Sequence, residues 1–206
     1  MTDTGNSLIL YSPQADAVWD AVERTGTAFS KRLYVQRKYQ ESAPVFTTVY
    51  DAFVREAVNY VPRPEGAEYP YWAFTDVRET DGSGGGRLMT LRVPVEEVIL
   101  FDRYDWYRLL QLGYLGESPE EEKAFDAKLK EYGVRQVSDV MLTAFYPALK
   151  RQVTDSWKKL FRHNEALKAE AVRLSGGEAE APLTLREVRA VQAALWQIKK
   201  EWLIDG

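Results

Sequence analysis

Apolar residues recur at three- and four-residue steps between Pro44 and Tyr60, where Val45, Val49, Phe53, Ala57 and Tyr60 mark one face of an amphipathic helix. Val61-Pro62-Arg63-Pro64 ends it. The apolar run Leu8 to Tyr11 predicts a short buried strand. Ser12 before Pro13 predicts an N-cap with proline in the first turn of a helix through about Arg24, whose apolar face is Val18, Trp19 and Val22. Gly26 closes that helix. The stretch Phe29 to Glu41, with the basic residues Lys31, Arg32, Arg37 and Lys38, reads as a solvated connection or a basic loop over a site.

Tyr69 to Phe74 (YPYWAF) predicts an aromatic strand, and Leu88 to Val93 and Val98 to Phe101 a pair of strands separated by the turn Pro94-Val95-Glu96-Glu97. The glycine run Asp81 to Gly86 joins two strands and lacks the Lys-Ser/Thr ending and following helix of a phosphate-binding loop, so it reads as a hairpin loop. Tyr104 to Leu112 continues as a helix. Ser118-Pro119-Glu120-Glu121-Glu122 starts another with a cap, a proline and an acidic first turn that suits the helix dipole. Ser156 to Phe161 and Glu165 to Leu174 read as helical, and residues 175–182 as a polar linker. Val191 to Ile198 reads as a closing strand, with a helix from Thr184 as the alternative. Few strands, unequal helices and short connections predict a single α+β domain over residues 1–206: a small, mostly antiparallel sheet with several flanking helices, residues 1–7 being a flexible N-terminus.

Composition narrows the chemistry. The absence of cysteine excludes disulfides, thiolate metal sites and cysteine nucleophiles, and fits a reducing compartment. No run of eighteen apolar residues occurs and the N-terminus does not resemble a signal peptide, so no membrane partner and a cytoplasmic location are expected. Twenty-seven basic against thirty-one acidic residues, a formal charge of -4, give no strong DNA-binding signature. The single histidine, His163, rules out histidine-rich metal sites and reads as a C-terminal helix cation, so no metal is expected.

Several residues together carry a family resemblance. They are Leu10-Tyr11-Ser12-Pro13-Gln14, Tyr50, Tyr69-Pro70-Tyr71-Trp72-Ala73-Phe74, Asp76-Val77-Arg78, Val98-Ile99-Leu100 with Asp102 and Trp106, Ser156-Trp157 with Phe161, and Gln192. In this order they resemble the bacterial and phage family described as domain of unknown function 3841, from about Leu8 to Trp202. The sequence departs from the family pattern at Tyr11, Pro13, Ala52 and Phe101, the last standing where the family has a serine. The resemblance implies no established function.

The same residues supply candidate chemistry, though no catalytic residue is identified. Arg78 can offer its planar fork to a phosphate or carboxylate while Asp76 orients it, or the two form a surface ion pair. Asp102 is expected to cap the following helix, its motif membership leaving a ribose-binding role open. Gln14 offers amide donors and an acceptor to a nucleotide, or faces solvent. Tyr69, Trp72 and Trp106 can stack a planar ring or fill the core. The order of strands is faintly similar to that of compact ADP-ribosyltransferase domains, with Gln192 at the late-strand position where such an enzyme would place a glutamate. The leading expectation is therefore a nucleotide-binding or NAD-using transferase. The alternative is a non-catalytic module for a protein or RNA partner, using the aromatics and Lys31 to Lys38, in a phage-defence or toxin system.

Overall fold

The computed structural model describes residues 6–80, 86–175 and 183–204. In chain order its elements are β1 (Ser7–Gln14), α1 (Asp16–Thr25), β2 (Thr27–Phe29), α2 (Arg32–Tyr39), α3 (Ala43–Ala57), β3 (Tyr71–Phe74), β4 (Arg87–Pro94), β5 (Val98–Asp102) and α4 (Arg103–Leu110). There follow α5 (Pro119–Glu131), α6 (Val137–Met141), α7 (Pro147–Ser156), α8 (Asn164–Leu174), β6 (Val191–Leu195) and β7 (Gln197–Lys199). The fold is α+β, with a five-stranded antiparallel sheet ordered β4-β1-β3-β6-β5 and a two-stranded ribbon of β2 and β7. No helix among the described residues is long and apolar enough to cross a membrane.

The edge strand β5 and its neighbour β6 are buried on both faces, which is why Val98 to Phe101 reads as a continuous hydrophobic run. Ile99, Phe101 and Ala194 join α3, α4, α5, α6 and α7 in one core layer. Val98, Leu100, Ala193 and Leu195 join Leu10, Met89 and Leu91 with α1 and α8 in the layer on the other face. Both edges of the sheet are covered, as exposed strand edges require. Asn164, fully buried at the start of α8, accepts a hydrogen bond from Leu100 N at 2.8 Å on the β5 edge. At the β4 edge Ile204 N donates to Thr90 O at 2.9 Å.

The turn Val95–Glu97 joins β4 to β5, but the two strands do not pair and form opposite edges of the sheet. A chain from Pro94 to Val98 reaches at most about 15 Å, whereas four strand spacings of a flat sheet come to about 19 Å. The sheet is therefore coiled, its edges converging at this end. A short connection between two strands does not by itself specify that they pair: β5 is buried on both faces, whereas β4 buries Met89, Leu91 and Val93 on one face and exposes Leu88 and Arg92 on the other.

Four other expectations change. Ser12 and Pro13 do not open a helix: β1 runs on to Gln14, and Ser12 Oγ donates to Trp72 O at 2.7 Å across the sheet instead of capping locally. Ser7 lies within β1, so the N-terminal strand begins inside the stretch expected to be flexible; residues 1–5 lie outside the described residues. The basic connection contains α2, which packs Val35 into the core beside α3 and carries little amphipathic signal because Val35 is its one buried residue. The closing strand is two strands, β6 and β7, parted at Trp196, whose buried indole N–H donates to Val61 O at 2.8 Å; the alternative helix from Thr184 does not form. Of the glycine run and the polar linker, residues 81–85 and 176–182 lie outside the described residues. Gly86 is described, and a Cβ there would stand 2.5 Å from Gln14 O, so the β1–β4 pair closes at its end only over glycine.

Candidate functional site

Strand register places residues from every strand of the sheet in one row. Tyr11 pairs with Thr90 and with Phe74, and Gln192 pairs with Phe74 and with Phe101. Directly paired residues point to the same face, so Thr90, Tyr11, Phe74, Gln192 and Phe101 share the face that bears the aromatic layer. Trp72, Ala194 and Ile99 form the next row on that face.

Over these rows stands a cluster of rings. Trp72 and Trp106 lie with centroids 4.6 Å apart, and Trp72 Nε1 donates to the Tyr50 hydroxyl at 2.7 Å. Phe53 meets Phe161, Trp72, Trp106 and Phe101 at centroid distances of 5.1, 5.2, 5.6 and 5.7 Å. Tyr69 donates to Asp51 Oδ1 at 2.7 Å, and Arg32 pairs with the same carboxylate. Burial first, and Asp51 second, push the Tyr69 phenol above its ordinary pKa. Burial does the same to Tyr50. Both hydroxyls are neutral hydrogen-bonding groups at any physiological pH.

At the C-terminal ends of β3 and β5 the layer acquires a charged rim. Asp76 caps the single turn Val77–Glu79 by accepting from Arg78 N at 2.9 Å, and it also holds the Arg78 side chain, whose hydrogen bonds keep the Asp76 carboxyl below its usual range. Arg103, the first residue of α4, sits between two rings, its guanidinium 5.6 Å from the Phe74 centroid and 5.1 Å from that of Tyr107. It donates to the Tyr107 hydroxyl at 2.6 Å and pairs with Glu79. Asp102 is buried, with Oδ1 accepting from Tyr104 N at 2.8 Å and Oδ2 from Arg189 N at 3.1 Å. It thus caps α4 and ties β5 to the segment entering β6. Asp105 is nearly buried, and desolvation raises its carboxyl pKa against the opposing pull of Arg162, which lies 2.7 Å from Oδ2 as an ion pair without hydrogen-bond alignment.

The structure thus gathers Tyr69, Trp72 and Trp106 in one aromatic layer, Tyr69 and Trp106 buried in the core and Trp72 partly buried against it, with Asp76, Arg78 and Asp102 at its rim. Gln14 is apart. Its register partner is Arg87, an odd number of residues from the Tyr11–Thr90 pair, so it points to the opposite face, where Nε2 donates to Ser12 Oγ at 2.9 Å. Sequence reasoning missed Arg103 and Phe74 at the rim, and the exposed Tyr104, Tyr107 and Arg189 that lie outside it on α4 and before β6. The four-residue step from Arg103 to Tyr107 on a helix was the available signal. His163 accepts from Arg162 Nε at 3.2 Å and stands at the N-terminus of α8, not at a helix C-terminus where a cation would be favoured. Two of the four cations in the basic segment are occupied, Lys31 with Glu68 and Arg32 with Asp51.

One buried polar atom on the aromatic face lacks a partner. Gln192 is 4% exposed, and among the described residues its amide oxygen has no hydrogen-bond donor. Such an acceptor costs about 1–3 kcal/mol, which the fold must offset elsewhere.

A second polar group lies between α5 and α7. Hydrogen bonds from Lys159 first, then from Tyr114 and Glu117 N, hold the Glu121 carboxyl at about 2, well below the ordinary 4.5. Because the folded pKa is depressed, the stabilisation is present above about 4.5 and is lost as the pH falls towards about 2. Urea unfolding of Glu121→Gln beside the unaltered chain checks this: the stability difference should be constant at neutral pH and shrink through that acid window. A difference that does not change with pH would mean that the carboxylate is not held as described.

Residues 9–204 match the family model for the domain of unknown function 3841 (DUF3841). The chain belongs to that family. No curated protein and no solved structure matches it. The DUF3841 motifs lie far apart in the chain yet meet in space: Tyr50, Trp72, Trp106, Trp157 and Phe161 lie in one core with Phe101, and Gln192 sits beneath it on the sheet.

Proposed function

We propose that this chain binds a nucleotide at the Phe74 rim of the aromatic face of its sheet, with NAD as the dinucleotide best suited to it, and acts as an ADP-ribosyl transferase. The observation that carries this reading is the unpartnered Gln192 amide oxygen between Phe74 and Phe101. The nicotinamide carboxamide and the adenine amine each bring an N–H donor on a flat ring, so either satisfies that oxygen while stacking on Phe74, the partly exposed neighbour. Arg78, 83% exposed along its side chain and held by one carboxylate, retains donors for a pyrophosphate. In the transfer, the bond from ribose carbon to nicotinamide nitrogen breaks with its electron pair on the nicotinamide. The acceptor atom bonds to that carbon and gives up a proton.

Thermal unfolding with NAD, ADP-ribose, ATP and GTP tests the reading. A ligand at one hundred times its Kd stabilises by about 2.7 kcal/mol. Gln192→Leu removes the orphaned acceptor, so the unliganded variant should melt no lower than the unaltered chain, while its ligand affinity falls about 3- to 10-fold with the lost hydrogen bond. A flat response to all four ligands, or unchanged affinity in Gln192→Leu, sinks the nucleotide reading.

A further inference from the structure

We infer that Tyr104, Tyr107 and Arg189 form a docking surface for single-stranded nucleic acid, adjoining the nucleotide site at the ends of β3 and β5. Tyr104 and Tyr107 are 48% and 40% exposed on α4, with ring centroids 6.5 Å apart at 77°. Arg189 lies 4.4 Å from the centroid of Tyr104, and Arg103 flanks Tyr107 at 5.1 Å. Each ring therefore carries a guanidinium beside an accessible aromatic face, a pairing that suits a base and its phosphate.

The local charge favours a polyanion despite the acidic chain. Asp102 is buried and spends both oxygens on backbone amides. In the pairs Arg78–Asp76 and Arg162–Asp105 the cation is the more exposed partner, with side-chain exposures of 83% against 27% and 30% against 9%, whereas in Arg103–Glu79 the carboxylate is, at 39% against 22%. Arg189 has no carboxylate within ion-pairing distance among the described residues. The two tyrosine rings stand nearly perpendicular, so they cannot enter the parallel stack of a duplex; each takes one splayed base, which selects a single strand.

Fluorescence anisotropy of the full chain with a labelled single-stranded oligonucleotide, and with the same sequence annealed into a duplex, tests the surface. Single-strand binding stronger than duplex binding is expected. Tyr104→Ala should weaken it about 5- to 150-fold, the range for loss of one stacked base. Arg189→Ala should lower the salt slope by about 0.7, the value for one phosphate contact to a single strand. Both side chains are exposed, and circular dichroism of each variant checks that the fold is kept. No binding, equal binding of duplex, or binding that neither variant alters overturns the inference. The same variants titrated with NAD separate the two readings: NAD affinity should be unchanged in both. Oligonucleotide binding without any NAD binding would leave this surface standing and remove the transferase.

Discussion

Replacing Phe53 by alanine is expected to lower the stability of the chain by about 3–5 kcal/mol, the largest effect of any substitution considered. Phe53 is 1% exposed and stands at the centre of the aromatic layer, its ring against those of Trp72, Trp106, Phe101 and Phe161. The rings around it come from the sheet, α4 and the turn 157–161, so the cavity cannot collapse without moving more than one element. For a domain of this size the melting temperature should fall by roughly 6–20 °C. Phe145→Ala supplies the contrast. That ring is 83% exposed between α6 and α7, and its loss should change stability by no more than about 0.5 kcal/mol. Equal melting temperatures for the two variants would show that the aromatic layer is not packed as described.

Asp102→Ala is expected to cost about 2–4 kcal/mol, because it removes the α4 cap and leaves two amide donors, those of Tyr104 and Arg189, without their acceptor. Asp102→Asn should recover only part of this, since an amide presents one oxygen where the carboxylate presents two. Unfolding by urea measures both variants, and NAD titration of each separates a structural role from a ligand-binding one. A ribose-binding Asp102 would lose affinity while keeping its melting temperature. A capping Asp102 loses stability first.

Much of the local structure was legible because its causes are local. The period of Val45, Val49, Phe53 and Ala57 lies on α3, Gly26 ends α1 with a φ of 80°, and Ser118 Oγ accepts from Glu121 N at the start of α5. The aromatic strand and Val98 to Asp102 were legible as β3 and β5. What failed were places where a distant partner outweighed a local signal. Ser12 has the chemistry of a cap, but its hydroxyl meets Trp72 O sixty residues away. The basic segment has the composition of a loop, but burying Val35 beside α3 makes it helical.

The site divides in the same way. Asp76 with Arg78 is a neighbour pair, and its geometry follows from two residues of separation. Arg103 was not legible, because its importance comes from lying between Phe74 and Tyr107, and Phe74 belongs to another strand.

The amino-acid sequence by itself determined which segments are helix or strand wherever period and caps agree, the faces that must be buried, and membership of the DUF3841 family through motifs kept in order. Only the tertiary structure decided that β4 and β5 lie at opposite edges, that Gln14 faces away from the tryptophans, and that Tyr11, Phe74, Gln192 and Phe101 form one row. The reason is register. A strand's side chains alternate with a period of two, so a shift of one residue against a distant partner exchanges its faces, and no local propensity specifies that shift.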